Sequence, residues 1–236
     1  MRLIEAEIQQ LKFKILDMAE LVQFQLDHIA QALVNLDYDL ARRIRKKEKK
    51  IDQYDTKIDK RCERIIALHQ PVANDLRFVF SVLKINGYLE QIGDGIYSMA
   101  STVPALKELH DQKLMKNLGL EGLINATKEI VTDALMSYFN EDIALSQAVF
   151  DREVPVLEQY DKCFKRLVQR IGEKPELAES LVQLVLIIQH LRRMARLGVS
   201  IAEETIFYLN GTIRRHSGEK NPSAGWEHSP PDTQEI

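Results

Sequence analysis

Cysteine is nearly absent from this 236-residue chain: Cys62 and Cys163 are the only two, and neither belongs to a Cys-x-x-Cys pair. That excludes a disulfide framework, and both residues read as small, semi-buried members of helical segments. An excess of one charge is also lacking. With a formal net charge of -3, the chain has no global basic field to drive binding to nucleic acid, so DNA binding is not expected. Long apolar runs are missing too. The longest, Leu184 to Ile188 within LVQLVLIIQHL, falls far short of the roughly 18 residues a membrane span needs. The opening MRLIEAEIQQLKFK is broken by charge every few residues and has no small-residue cleavage site, so it does not read as a signal peptide. A cytoplasmic location is expected.

Proline and glycine are scarce until the end of the chain, and what fills the space is apolar residues at helical spacing. Ile4, Ile8, Leu11, Ile15, Met18, Val22, Ile29 and Leu33 form one stripe, which predicts a long first helix stopped at Asp37 to Asp39. Leu40, Ile44, Ile51, Ile58 and Ile65 form the seam of a second helix ending at His69-Gln70-Pro71. A third is predicted from Asn74 or Asp75, either of which would cap it, to about Thr102. The pattern then recurs in helices over about 112–139, 142–171 and 175–209, with Gly211 as terminator. Asn35-Leu36-Asp37 resembles Asn140-Glu141-Asp142, and LEQIGDGIYSMA aligns with LRRMARLGVSIA. Duplication of a three-helix unit explains both matches. The expectation is an all-α chain of two tandem three-helix bundles over 1–107 and 108–213. A disordered polar tail follows over 214–236, in which Trp226 reads as an incidental aromatic.

Chemistry concentrates in two Glu-x-x-x-Asp pairs, Glu48 with Asp52 on the second helix and Glu90 with Asp94 on the third. A spacing of four puts the partners about 40° apart around a helix, on one face. Asp55 and Asp59 extend the acidic line. Oxygen donors from neighbouring helices suit a hard divalent or ferric ion: Mg, Mn, Ca and Fe are all admissible. The same residues also fit a solvated face, since Lys46, Lys47, Lys49, Lys50 and Lys57 lie within salt-bridge reach. A helical adaptor whose acids bind nothing, and a carboxylate-bridged di-iron protein, are the competing readings. Di-iron bundles use Glu-x-x-His ligands, and no glutamate stands three residues before any of the six histidines. No Ser-His-Asp set, glycine-rich phosphate loop or Cys-His pair can be placed either, so an enzyme is not expected.

Several segments together resemble the PhoU family. They are Glu48-Lys-Lys-Ile-Asp52, the run from Ile65 through Gln70-Pro71 and Ala73 to Asp75-Leu76-Arg77, the segment Leu83-Lys84-Ile85-Asn86, and Leu89-Glu90-Gln91-Ile92-Gly93-Asp94. The likeness extends over residues 1–213, with Gln91 where the family usually has arginine. It implies a cytoplasmic, homodimeric negative regulator of phosphate uptake and the phosphate-starvation response, coupling a phosphate ABC transporter ATPase to a sensor histidine kinase. It also implies carboxylate-held metal (Fe, Mn, Mg or Zn), with Glu48, Asp52, Glu90 and Asp94 as ligands. The second repeat departs from the pattern. Arg192 and Arg196 stand where the acids recur, and Glu153 faces Leu157 in place of an aspartate, across Pro155. Metal is therefore expected in the first repeat only, with ion pairs from the arginines to Glu153 and neighbouring acids replacing it, ahead of anion binding. Asp75 and Arg77 read as stabilisers of the Pro71 turn or as a partner contact, and His69 and His190 as packing residues.

Overall fold

A computed structural model of the chain describes residues 3–106, 109 and 117–211. Among them every regular element is helical. The α-helices are α1 (Leu3–Asn35), α2 (Tyr38–Arg45), α3 (Glu48–His69), α4 (Ala73–Thr102), α5 (Leu120–Phe139), α6 (Ile143–Glu173) and α7 (Ala178–Asn210), with short 3₁₀ turns at Val103–Leu106 and Pro175–Leu177. The tail over 214–236 with Trp226, the boundary at 107–108 and the expected start of the fourth helix at Gln112 lie outside the described residues. No described helix is long and apolar enough to cross a membrane.

Of the stripe read along the first helix, Leu11, Ile15, Met18, Val22, Ile29 and Leu33 are each within 1% of complete burial and are joined by Leu26, while Ile4 and Ile8 near the start are only partly buried. That face packs on α3 and α4, while α5, α6 and α7 pack on one another. The two sets share one contiguous core, because α4 lies along α7. At that crossing Gly95 makes room for Met194, whose Cε would lie 2.8 Å from a Cβ added to the glycine.

The duplication is visible in the turns. Leu36 (φ 51°) and Glu141 (φ 56°) both take the left-handed conformation. Asp37 and Asp142 then cap α2 and α6 by accepting from Leu40 N at 2.9 Å and Leu145 N at 3.0 Å.

Three helix boundaries differ from expectation. The second helix is broken at Lys46–Lys47, where Lys47 N reaches back three residues to Ile44 O at 2.9 Å. Seven cations in the nine residues Arg42 to Lys50 repel one another at helical spacings, which weakens a continuous helix through this stretch. Neither Asn74 nor Asp75 caps the third helix. It begins at Ala73 after Val72, which makes no side-chain cap bond. The last helix starts at Ala178, because Pro175 opens a separate 3₁₀ turn. Its end is as read: Gly211, at φ 71°, donates to Phe207 O at 2.9 Å.

Candidate metal centre

The acid pairs come together where α3 packs on α4. Gly93, between Glu90 and Asp94, permits the approach: a Cβ there would lie 2.7 Å from Cδ1 of Ile51, the residue between Glu48 and Asp52. The glycine thus brings the two acid-bearing faces together.

Their electrostatics show the convergence. Glu48 is held above the ordinary carboxylate value, first by partial burial and then by Asp52 and by Asp94 across the helix interface. Glu90 is raised by burial, by Asp94, by Asp55, by a hydrogen bond with Asp94 and by Asp52. Asp55 is raised by burial and by Asp59 and Asp52, against the lowering effect of a bond from Asn86.

Asn86 is the member of this group that spacing arguments missed. Fully buried on α4, it donates from Nδ2 to Asp55 O at 3.1 Å, Asp55 Oδ1 at 2.8 Å and Asp59 Oδ1 at 2.9 Å. Its Oδ1 is buried without a partner. The signal was available: Asn86, Glu90 and Asp94 stand four residues apart on one face of α4.

The donor chemistry fits a hard cation. Carboxylates from two helices are raised by burial and by one another, and one amide oxygen beside them is unsatisfied. As the side chains lie, no three carboxylate, imidazole or thiol groups among the described residues are arranged to hold an ion. Asp52 and Asp94 are exposed at the edge of the groove, so closure round an ion takes inward rotation of these two.

In the second repeat Arg192 and Arg196 occupy the positions that correspond to Glu90 and Asp94. The expected ion pairs do not form: among the described residues neither Arg192 nor Arg196 is bonded to Glu153. Arg192 lies instead over the ring of Tyr160, 4.8 Å from its centroid, and Tyr160 OH accepts from Gln189 at 2.6 Å. An aromatic face one turn beyond Leu157 takes the guanidinium in place of an acid. Arg193 reaches the other way, donating to Gln91 Oε1 at 2.9 Å, and so ties the second repeat to the residue beside Glu90.

Arg77 braces the Pro71 turn. Its Nε donates to Tyr208 O at 3.2 Å in the last turn of α7, and its guanidinium also meets Asn74. Asp75 is exposed. His190 is half-buried, its pKa lowered by burial and by Arg193. Both cysteines are buried, and burial pushes the thiols up to about 12 for Cys62 and about 11 for Cys163.

Two tandem helical bundles, with carboxylates on the facing sides of two adjacent helices in the first, define a class of duplicated, acid-grooved helical protein. The PhoU domain family matches residues 15–103 and again 120–205. The chain belongs to the PhoU family. It is 30% identical over 210 residues to the phosphate-specific transport system accessory protein PhoU homolog of Aquifex aeolicus, covering 89% of this chain and 94% of the relative. It is 28% identical over 213 residues to the phosphate-specific transport system accessory protein PhoU of Escherichia coli, covering 90% and 88%. The crystal structure of PhoU from Pseudomonas aeruginosa superposes with a TM-score of 0.81 at 27% identity, over 88% of this chain and 99% of that one.

Proposed function

We propose that this chain is a non-enzymatic regulator of phosphate uptake that works by protein contact, with metal held in the first repeat and none in the second. The observation that carries the reading is the carboxylate groove between α3 and α4, in a chain whose relatives are named as accessory proteins of phosphate-specific transport. Glu48, Asp52, Glu90 and Asp94 are the proposed ligands, with Asp55 and Asn86 beside them. A bound Fe, Mn, Mg or Zn ion would supply positive charge and cross-link α3 to α4.

The proposed partners are a phosphate ABC transporter ATPase and a sensor histidine kinase, met in the cytoplasm by a homodimer. A rigid bundle biases such partners only by binding their conformational states unequally, so its action is a shift in population. Stiffening the first repeat would sharpen that preference.

Metal analysis of freshly purified protein tests the site. About one site's worth of metal, lost in the Glu90→Ala and Asp94→Ala double variant, supports it. Absence of metal after preparation with iron, manganese and zinc supplied leaves only an inert bundle. Removing the gene tests the regulation: phosphate-uptake genes should become constitutive, and unchanged control by phosphate would refute it.

A further inference from the structure

Outside the acidic groove the molecule carries a second concentration of charge, of the opposite sign. Arg42, Arg43, Arg45, Lys46, Lys47, Lys49 and Lys50 crowd the break between α2 and α3 with Glu48 as the one acid among them. None of the seven forms an ion pair among the described residues. Two of them, Arg43 and Lys47, rim a pocket of about 260 Å³ between α1 and α2 whose other walls are Phe24, Gln25, His28, Leu40 and Ile44.

Gln25 makes this pocket unusual. It is 1% exposed, and neither its Nε2 nor its Oε1 has a hydrogen-bond partner. Burying an unpaired amide is unfavourable, and Gln25, whose two amide atoms are sealed behind the pocket wall, would gain both missing partners by turning its side chain into the pocket onto a ligand. The neighbouring wall is aromatic: Phe24 and His28 lie with ring centroids 3.9 Å apart, and Lys47 Nζ covers the Phe24 ring at 4.0 Å. His28 Nδ1 is engaged with Phe24 O at 2.7 Å, which fixes the ring.

A flat ring with a donor and an acceptor on one edge satisfies the amide, an aromatic wall stacks on such a ring, and anionic oxygens satisfy Arg43 and Lys47. We propose that the pocket between α1 and α2 binds a purine nucleoside phosphate, its base against Gln25 and Phe24 and its phosphates on Arg43 and Lys47. A flat anionic surface would use the exposed cations but would leave the buried amide unmet. The compact ligand answers both features, with Lys47 lifting off Phe24 to admit the ring.

Calorimetric titration of the full chain with ADP, adenosine and inorganic pyrophosphate tests this, in EDTA so that no ion in the acidic groove can hold the phosphates. ADP should bind with a Kd below about 1 mM, and adenosine and pyrophosphate each about tenfold more weakly or worse. Arg43→Ala with Lys47→Ala, both on the surface, should weaken ADP about tenfold. Gln25→Leu should weaken ADP and leave pyrophosphate unchanged. Because Leu removes an unpaired buried amide it should also raise the melting temperature, which reports that the variant is folded. Pyrophosphate binding as tightly as ADP, ADP binding indifferent to Gln25→Leu, or no ADP binding at several-fold higher concentration each overturns the proposal.

Discussion

Lys84 on α4 grips Glu204 on α7 with its Nζ 2.9 and 3.0 Å from the two carboxylate oxygens. Glu204 is nearly buried, its side chain 10% exposed, while that of Lys84 is 40% exposed. Phe207 lies beneath the ammonium at 5.2 Å. Lys84→Met strands the carboxylate at the seam between repeats. The expected cost is about 1–3 kcal/mol, below that of a fully buried pair because Lys84 is partly in water. Adding Glu204→Leu should recover part of the loss, and a double-mutant cycle by denaturant unfolding reads the coupling.

Gly198 on α7 lies against α5, where an added Cβ would meet Ile130 Cγ2 at 2.7 Å and the Ile130 backbone at 3.4 Å. The Ile130 backbone is only at ordinary contact distance, but Cγ2 is the branch attached directly to Cβ, and it yields less than a side-chain tip does. Gly198→Ala should destabilise by about 1–3 kcal/mol. Gly93→Ala should cost less, since the clash is with the movable Cδ1 of Ile51. It should nonetheless weaken metal uptake by spreading α3 from α4. Thermal melts and metal content of the two variants separate the effects.

Arg77 ties the Pro71 turn to the end of α7. Arg77→Ala should cost about 1 kcal/mol by leaving the Tyr208 carbonyl with one donor fewer. Asp75→Asn, at an exposed position, should stay within about 0.5 kcal/mol. If Asp75→Asn disturbs regulation without disturbing melting, the turn is a partner contact.

The acidic groove makes stability depend on pH in the direction opposite to a salt-bridged carboxylate. Glu48, Asp55 and Glu90 hold protons more tightly in the folded chain than their ordinary values of 4.5, 3.8 and 4.5. Their contribution is complete below those values and is lost as pH rises through the folded-state values. In EDTA, the wild type should therefore lose more of its melting temperature than Glu90→Gln as pH rises from about 4 to about 7. Equal slopes would mean that neither burial nor neighbouring carboxylates raise Glu90 in the folded chain.

Much of this was legible in the sequence. The stripe from Leu11 to Leu33, the twin turns at Asp37 and Asp142, and the stop at Gly211 each depend on local periodicity or backbone conformation, which single residues declare. The four acids were legible because a spacing of four on a helix fixes a face. What escaped depends on neighbours distant in sequence. Asn86 matters because α3 places Asp55 and Asp59 against it. Arg192 settled on Tyr160 and not Glu153 because helix rotation within the bundle, which spacing cannot give, decides which side chain of α6 it meets. Gln25 was passed over between Val22 and Leu26 because a polar residue beside an apolar stripe reads as its solvent edge.

The crossing of α4 on α7 has a consequence for anyone who would cut the molecule in two. With Gly95 opened for Met194 and one uninterrupted core beneath, either half expressed alone would present a raw, water-averse flank along a full helix. The duplicated halves should melt as a single unit, and a scanning calorimeter should record one peak where the repeat pattern invites the expectation of two.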